Sequence, residues 1–515
     1  MVTPLRTILL LFYVACAVII LMVLSPGEIA ITEDLSFQVF TFRDFTGTAD
    51  TAIANQTRMA DLNTMARRLD SLEKKEKEQT AQKITNPDSL PGTRASMSKT
   101  TLAERSEPLS DPKYPIEFPD SLHPTNLDRI FAAWASLARK PSLVRIVHYG
   151  DSQIEGDRIS DYLRARLQRK FGGCGVGVVP LVEWQASRST VATEASENWI
   201  KYAIYGNNSK ANRAGHYGIL GTAYRFSPPV PKDSLAPAQL SWRAVCRFRE
   251  TRFSNDFSNA TQIENIKFIY SSPFAKVAVH IQAEGTEKDT TLNLALQQER
   301  KVIVAEQALP VRFKKLSLHL ESAEGSEFFG VALDCNQGVA VDNVAMRGSS
   351  GVEFIKINAE WLRKQYEMLN VKLIILQFGV NVVPNILRDY TFYENMLYRQ
   401  LTFLKSVAPQ ADILVIGLSD MARRSGTGYA SYPNVPKIRD AQRKAAFRAG
   451  CAFWDLYEAM GGEGAMVAWV QNKPPLAGKD YTHFTPKGAR LVGEMLYHAL
   501  MKEYEHYKSR NQIAQ

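Results

Sequence analysis

Cysteine is scarce in this chain, with five in 515 residues, too few for a disulfide scaffold. Cys16, Cys174, Cys246, Cys335 and Cys451 lie far apart without C-x-x-C spacing, so no metal site is implied. In an oxidising compartment Cys246 and Cys335 are candidates to pair, and the sequence leaves that open. No nucleic-acid-binding module with a basic face is present, so the formal charge of +9 does not point to that class of partner. Part of the charge is local. Arg164, Arg166, Arg169 and Lys170 form one cluster, and Lys502, Lys508 and Arg510 sit near the C-terminus. These read as solvated helix faces, with attraction to an anionic envelope polymer as a secondary reading. Internal repeats are absent.

One long apolar run is present. Thr7 to Leu24 reads TILLLFYVACAVIILMVL without a charge, long enough to cross a bilayer as a helix. Arg6 precedes it and Glu28 and Asp34 follow, so the positive-inside bias puts the N-terminus in the cytoplasm and the rest outside. Ser25-Pro26-Gly27 ends the helix. A cleaved signal peptide is the competing reading, but the length of the run and the poor cleavage site favour an uncleaved anchor. Cys16 reads as part of the spanning helix.

A length of 515 residues suggests two or three domains. The expected organisation is a membrane anchor over 1–28 and a flexible linker over 29–120. An α/β domain then runs over 121–190 and 338–505, split by an all-β sandwich of jelly-roll type over 191–337, with a tail over 506–515. The linker includes RRLDSLEKKEKEQTAQK, which buries too little apolar area to offset its ordering entropy. A short helix is predicted around Met59 to Glu78. LVRIVHYG reads as a buried strand leading into a polar turn and the helix DRISDYLRARLQRKF. WRAVCRFRE, NIKFIYSS, KVAVHIQAE, TTLNLALQ, KVIVAE and RFKKLSLHLES have the period-two character of an antiparallel sandwich. The α/β pattern returns with WLRKQYEMLN, VKLIILQFG, ADILVIGLSD and a last helix, PKGARLVGEMLYHALMKEY.

Three short blocks carry chemistry. Gly150-Asp151-Ser152-Gln153 follows the first strand and exposes a serine hydroxyl at a turn, although Asp and Ser also cap helices there. Gln377-Phe378-Gly379-Val380-Asn381 ends a middle strand. The Asn381 amide is suited to hold an oxyanion or to close a turn. Asp480-Tyr481-Thr482-His483 precedes the last helix. Imidazole is the usual base for a serine, and a carboxylate three residues earlier is placed to fix its tautomer. His148 reads as packing on the sheet. Trp184 and Trp199 read first as core residues and second as sugar contacts.

G-D-S, then G-x-N, then D-x-x-H, in this order, resembles the SGNH/GDSL hydrolases. HYGDSQIEGDRISDYLRARLQRKFGGCGVGVVP, CAFWDLYEAMGGEGAM and KDYTHFTPKGA are similar to the branch of bacterial peptidoglycan O-acetylesterases, which carries a carbohydrate-binding-like β-domain between its first blocks. The likeness covers about 142–190 and 338–500. The family motif has leucine where this chain has Gln153. The resemblance implies a flavodoxin-like three-layer hydrolase domain. It also implies Ser152 as nucleophile, with His483 as base and Asp480 orienting it. Ser152, Gly348 and Asn381 would form the oxyanion hole, with Gly348 of VDNVAMRGSSG preferred to Gly351. No cofactor or metal is implied. The expected activity is removal of O-acetyl groups from a cell-envelope glycan, peptidoglycan favoured, by a single-pass protein of the bacterial inner membrane with its catalytic domain in the periplasm. The alternatives are an esterase or acyltransferase on another polysaccharide or lipid ester, and a non-catalytic glycan-binding protein. The sequence does not give the oligomeric state.

Overall fold

The computed structural model describes residues 114–513, apart from 123, 184–187, 207–208, 229–241, 252–258, 273–275, 285–288, 297–298 and 323–324. It also describes Phe12, Tyr13, 28–32, 35–38, Thr64, Arg67 and Ser71. The chain divides into two compact units, Met1–Arg68 and Leu69–Gln515. In the first, the strands Glu28–Thr32 and Leu35–Gln38 pair as an antiparallel hairpin. The predicted spanning run lies outside the described residues except for Phe12 and Tyr13, which are helical. Among the described residues no helix is long and apolar enough to cross a membrane. The helix predicted at Met59 to Glu78 also lies outside them, apart from Thr64, Arg67 and Ser71, which are helical.

The second unit is built on a five-stranded parallel sheet. Its strands lie in the order Gly338–Ala345, Leu143–Gly150, Val371–Gln377, Asp412–Ile416 and Ala452–Trp454. Numbered along the chain this is 2-1-3-4-5, the flavodoxin-like order, whose crevice opens at the carboxyl ends where the order reverses. Every residue of LVRIVHYG is buried, as expected of a parallel strand covered on both faces. On one side Trp134 stacks on Phe171 at 4.9 Å and Tyr504 meets both rings edge-on. These rings join the helices Asp128–Ser136, Ser160–Phe171 and Pro486–Arg510. The chain is packed on this sheet before residue 120: Glu117 and Phe453 exchange backbone bonds of 2.7 and 2.9 Å.

Residues between Gly177 and Asp334 form a five-stranded and a six-stranded antiparallel sheet. Phe248, Ile281 and Leu318 of one meet Tyr224, Phe268 and Phe328 of the other in a common core. The block begins before residue 191, because Gly177–Val179 pairs with Glu327–Asp334. The β-block also packs against the α/β layers. Ile219, Ile269 and Phe329 share a second core with Val147, Tyr149, Trp361 and Tyr366 of the α/β layers. The Tyr149 hydroxyl donates to the Ile219 carbonyl at 2.7 Å. Arg145, fully buried, pairs with Asp342 of the parallel sheet at 2.6 Å and with Asp334 of the antiparallel one. Breaking one partner of such a buried pair typically costs about 3–5 kcal/mol, and this one joins the two blocks.

Two readings of charge and cysteine change. Arg164 is not on a solvated face: its guanidinium makes a bidentate bond to Asp157 at 2.7 and 2.8 Å, fully buried. Helical spacing does not reveal that Asp157 lies on the turn before the helix. Cys335 pairs with Cys174, with Cα atoms 5.1 Å apart, while Cys246 is buried and free. The pairing follows from topology, which brings the end of one helix to the end of a strand 161 residues later. A Cys174→Ser/Cys335→Ser variant should unfold earlier in guanidinium, losing about 2–4 kcal/mol, as for closure of a long loop.

Candidate active site

The carboxyl ends of three neighbouring parallel strands deliver three turns to one place. Gly150 ends the first strand, and a Cβ there would lie 2.8 Å from the Gln377 carbonyl, so only glycine lets the strands approach this closely. The Asp151 N–H then donates to that carbonyl at 3.2 Å. Asp151 itself is buried and gathers the N–H groups of Gln153, Gly379 and Val380. Burial pushes its carboxyl up to about 7, against the pull of those donors. The side chain ties the Ser152 turn to the Asn381 turn.

Ser152 projects from this turn, and its Oγ lies 2.8 Å from Nε2 of His483. On the other side of the ring, Nδ1 lies 2.7 Å from Asp480 Oδ2. Asp480 Oδ1 accepts the N–H groups of Thr482 and His483, each at 3.1 Å. A carboxylate only accepts, so Nδ1 carries the proton and Nε2 is left to accept from the serine hydroxyl. Burial pushes the Asp480 carboxyl up, but the bonds from the His483 ring and the two N–H groups more than offset it, so it sits below the usual carboxylate range. The loop is anchored by Gly478 N–H donating to the His483 carbonyl at 2.8 Å. Thr485 then caps the following helix by accepting from Gly488.

Among the described residues neither the Ser152 N–H nor the Gly348 N–H donates a hydrogen bond. Gly348 has φ +79 and is exposed. Gly351, the other glycine of that loop, is instead packed on the Phe378 ring. Asn381 gives one amide hydrogen to the Ser349 carbonyl at 2.8 Å. That bond fixes the amide beside the Gly348 loop and leaves its second hydrogen to donate. The structure thus brings Ser152, His483 and Asp480 together in one hydrogen-bonded chain, and ties Asn381 to the loop of Gly348.

Gln153 departs from the family leucine and has a use. It is buried, and its Nε2 donates to the Thr482 carbonyl at 3.0 Å and to Ser419 Oγ at 2.5 Å. The residue after the candidate nucleophile therefore grips the residue before the candidate base. Gln153→Ala should lower kcat on a small acetyl ester, by up to about 10²-fold for loss of alignment, with KM little changed. Steady-state kinetics on the variant checks this split.

His148 is buried, as the packing reading expects, and it is fully bonded. Asn343 Nδ2 donates to Ser160 Oγ, which lies 2.9 Å from His148 Nδ1, and His148 Nε2 lies 3.1 Å from Gln377 Oε1. Desolvation, only partly offset by Gln377, lowers the ring to about 4. An unfolded histidine titrates near 6.5. The neutral ring's contribution to stability is therefore complete above that value and is lost as pH falls through the window from 6.5 to 4. The stability difference between the parent and His148→Gln should shrink by on the order of 3 kcal/mol across that window, as acid titration of unfolding free energy on both proteins would show.

Trp199 lies in the sandwich core, its indole N–H donating to the Val245 carbonyl at 3.1 Å. It faces no sugar. Trp184 lies outside the described residues. Sequence reasoning missed the strain around the site. Asp157, Ile159 and Tyr481 all have φ between +55 and +71, where β-branched and aromatic residues are rare. Such strain gathers at functional sites.

No family model matches the chain, and no curated protein is similar to it in sequence. Among solved structures, a peptidoglycan O-acetylesterase is similar over 76% of this chain and 99% of its own, at 20% identity and a TM-score of 0.59. A lipase/acylhydrolase from Enterococcus faecalis (16% identity; 32% of this chain, 78% of its own; TM-score 0.24) and an acetyl xylan esterase (15%; 32% and 81%; TM-score 0.25) overlap too little to bear on the fold. The likeness to the peptidoglycan O-acetylesterase is one of fold.

Proposed function

We propose that the chain is a serine esterase that removes O-acetyl groups from a cell-envelope glycan, with peptidoglycan favoured. The observation that carries this is the continuous Ser152–His483–Asp480 bonding at 2.8 and 2.7 Å, with the Ser152 N–H unengaged in the same turn. In the reaction, Ser152 Oγ attacks the acetyl carbonyl as His483 Nε2 takes its proton. The oxyanion is held by the N–H groups of Ser152 and Gly348 and the Asn381 amide. The tetrahedral adduct collapses, the sugar oxygen leaves with the proton from His483, and acetyl-Ser152 remains. Water then adds with His483 as base, and acetate departs.

An open site supports a polymeric substrate. The Asp480 and His483 side chains are 53% and 33% exposed, so the reacting groups are reachable from a long chain. The Cys174–Cys335 disulfide supports an extracytoplasmic location. The apolar run 7–24 as a cytoplasm-to-periplasm anchor belongs to the same proposal. Acetate, butyrate and octanoate esters of p-nitrophenol test the acyl pocket. Each methylene that does not fit should cost about 1–3 kcal/mol in relative kcat/KM. Acetate release from O-acetylated but not base-deacetylated peptidoglycan is the expected result. Preference for octanoate would make the enzyme a lipase, and acetyl preference without release would move the substrate to another acetylated polysaccharide.

A further inference from the structure

Beside the His483 loop stands a small hairpin that the catalytic machinery does not use. Its strands, Ala422–Ser425 and Gly428–Ser431, pair with Arg424 directly opposite Tyr429. Directly opposed side chains leave the same face of a hairpin. The hairpin is exposed from Arg423 to Ala430, and an isolated two-stranded ribbon is marginally stable by itself. Contacts at its base and on its face hold it. Its base is fixed where Ser431 Oγ donates to Asp420 at 2.7 Å. Its face is fixed to the catalytic loop: the Tyr429 ring stacks on Tyr481 with centroids 3.7 Å apart and planes at 12°, and Ala422 N–H donates to the Tyr481 carbonyl at 3.1 Å. Tyr481 lies between Asp480 and His483 with φ +55.

The stack covers one face of the Tyr429 ring, and the residue is 45% exposed. The structure thus holds a rigid aromatic surface at the rim of the site, with an exposed arginine on the same side and no ion pair to Arg424 among the described residues. The C–H face of a pyranose is apolar and suits an aromatic face. A guanidinium suits a carboxylate in bidentate geometry.

We propose that the 422–431 hairpin is a glycan subsite, in which Tyr429 stacks on a sugar ring and Arg424 binds a carboxylate on the same polymer. The occupant is an acidic acetylated glycan, and the subsite sets the strand so that an acetyl group reaches Ser152. This rests on the esterase reading for its purpose. The carboxylate has two chemical sources, the lactyl or peptide acid of a muramyl glycan and the acid of a uronate glycan.

Calorimetric titration of the full chain carrying Ser152→Ala tests the proposal without turnover. The probes are soluble O-acetylated peptidoglycan fragments, O-acetylated uronate oligosaccharides and neutral acetylated xylo-oligosaccharides. One of the two acidic glycans should bind at least tenfold tighter than the neutral one and identifies the source. Arg424→Gln should weaken that binding about tenfold and flatten its salt dependence, and Arg424→Lys should recover part of the loss. Tyr429→Ala should weaken it tenfold or more. Tyr429→Phe, which keeps the ring and the stack, should bind as the parent does and shows that loop disturbance is not the cause. Equal affinity for neutral and acidic glycans, no binding to any of them, or an unchanged dissociation constant in Arg424→Gln and Tyr429→Ala would overturn the subsite. Turnover of p-nitrophenyl acetate by the wild-type chain reports separately on the esterase reading, so either fails alone.

Discussion

Replacement of Ser152 by alanine is expected to lower kcat on an acetyl ester by roughly 10⁵–10⁶, the scale on which a serine nucleophile contributes when its base stays in place. The reason is local. Ser152 Oγ is the atom bonded to His483 Nε2 at 2.8 Å, and no other hydroxyl is described as bonded to that nitrogen. Alanine removes the attacking oxygen and leaves the Ser152-position N–H, the Gly348 N–H and the Asn381 amide in place. Residual rate above solvent should therefore survive at about 10³-fold or more from the remaining oxyanion donors and binding. Burst kinetics with p-nitrophenyl acetate measures both values. Full turnover by Ser152→Ala would place the reaction elsewhere.

Asp480→Asn should cost between about 10² and 10⁴ in kcat, with KM nearly constant. The carboxylate accepts from His483 Nδ1 at 2.7 Å through Oδ2, and from two backbone N–H groups through Oδ1. An asparagine keeps Oδ1 on the backbone and turns its NH₂ toward the ring. The ring must then move its proton to Nε2, the nitrogen that has to accept from Ser152. Geometry survives while the tautomer inverts. The carboxyl of Asp480 is held below the usual carboxylate range, so at neutral pH the substitution also removes a full negative charge beside the imidazolium that forms during attack. Solvent at this half-exposed side chain screens part of that charge, which puts the lower bound below the value for a buried triad. A loss of less than tenfold at every pH would mean that Asp480 does not orient His483.

The candidate constellation was legible as a set of short blocks at strand ends. LVRIVHYG announces a buried strand by its β-branched and apolar residues between the Pro141-Ser142 break and Gly150, and a Gly-Asp-Ser turn after it leaves few places for the serine to point. The Asn381 and His483 blocks were legible for the same reason, as breaks that follow or precede strongly patterned elements. The rest depended on contacts between distant segments. Nothing in the spacing of Cys174, Cys246 and Cys335 says which pair meets, because the answer lies in how a helix end and a strand end are brought together. Period-two patterning in the β-block shows one buried face. Its second buried face, with Ile219 and Phe329 against Tyr149 and Trp361, appears only when the sheet is laid on its neighbour. Arg164 read as solvated because its helical neighbours are basic, while its partner Asp157 precedes the helix. ARRSGTGYAS has no apolar periodicity, so the hairpin and its Tyr429–Tyr481 stack were invisible in one dimension. Gln153 replaces the leucine of the motif, and its bond to the Thr482 carbonyl needs the fold to exist.

Covalent trapping at the serine is the most direct measurement. The full chain is incubated with a fluorophosphonate, digested and analysed by peptide mass spectrometry. A single phosphonyl adduct on the peptide containing Ser152 is expected. It should be suppressed by prior acetyl ester, lost in Ser152→Ala and strongly slowed in His483→Ala, because the imidazole that activates attack on the ester also activates attack on phosphorus. An adduct on a different residue, or no adduct from a folded protein that still hydrolyses acetyl esters, would contradict a serine esterase working through Ser152.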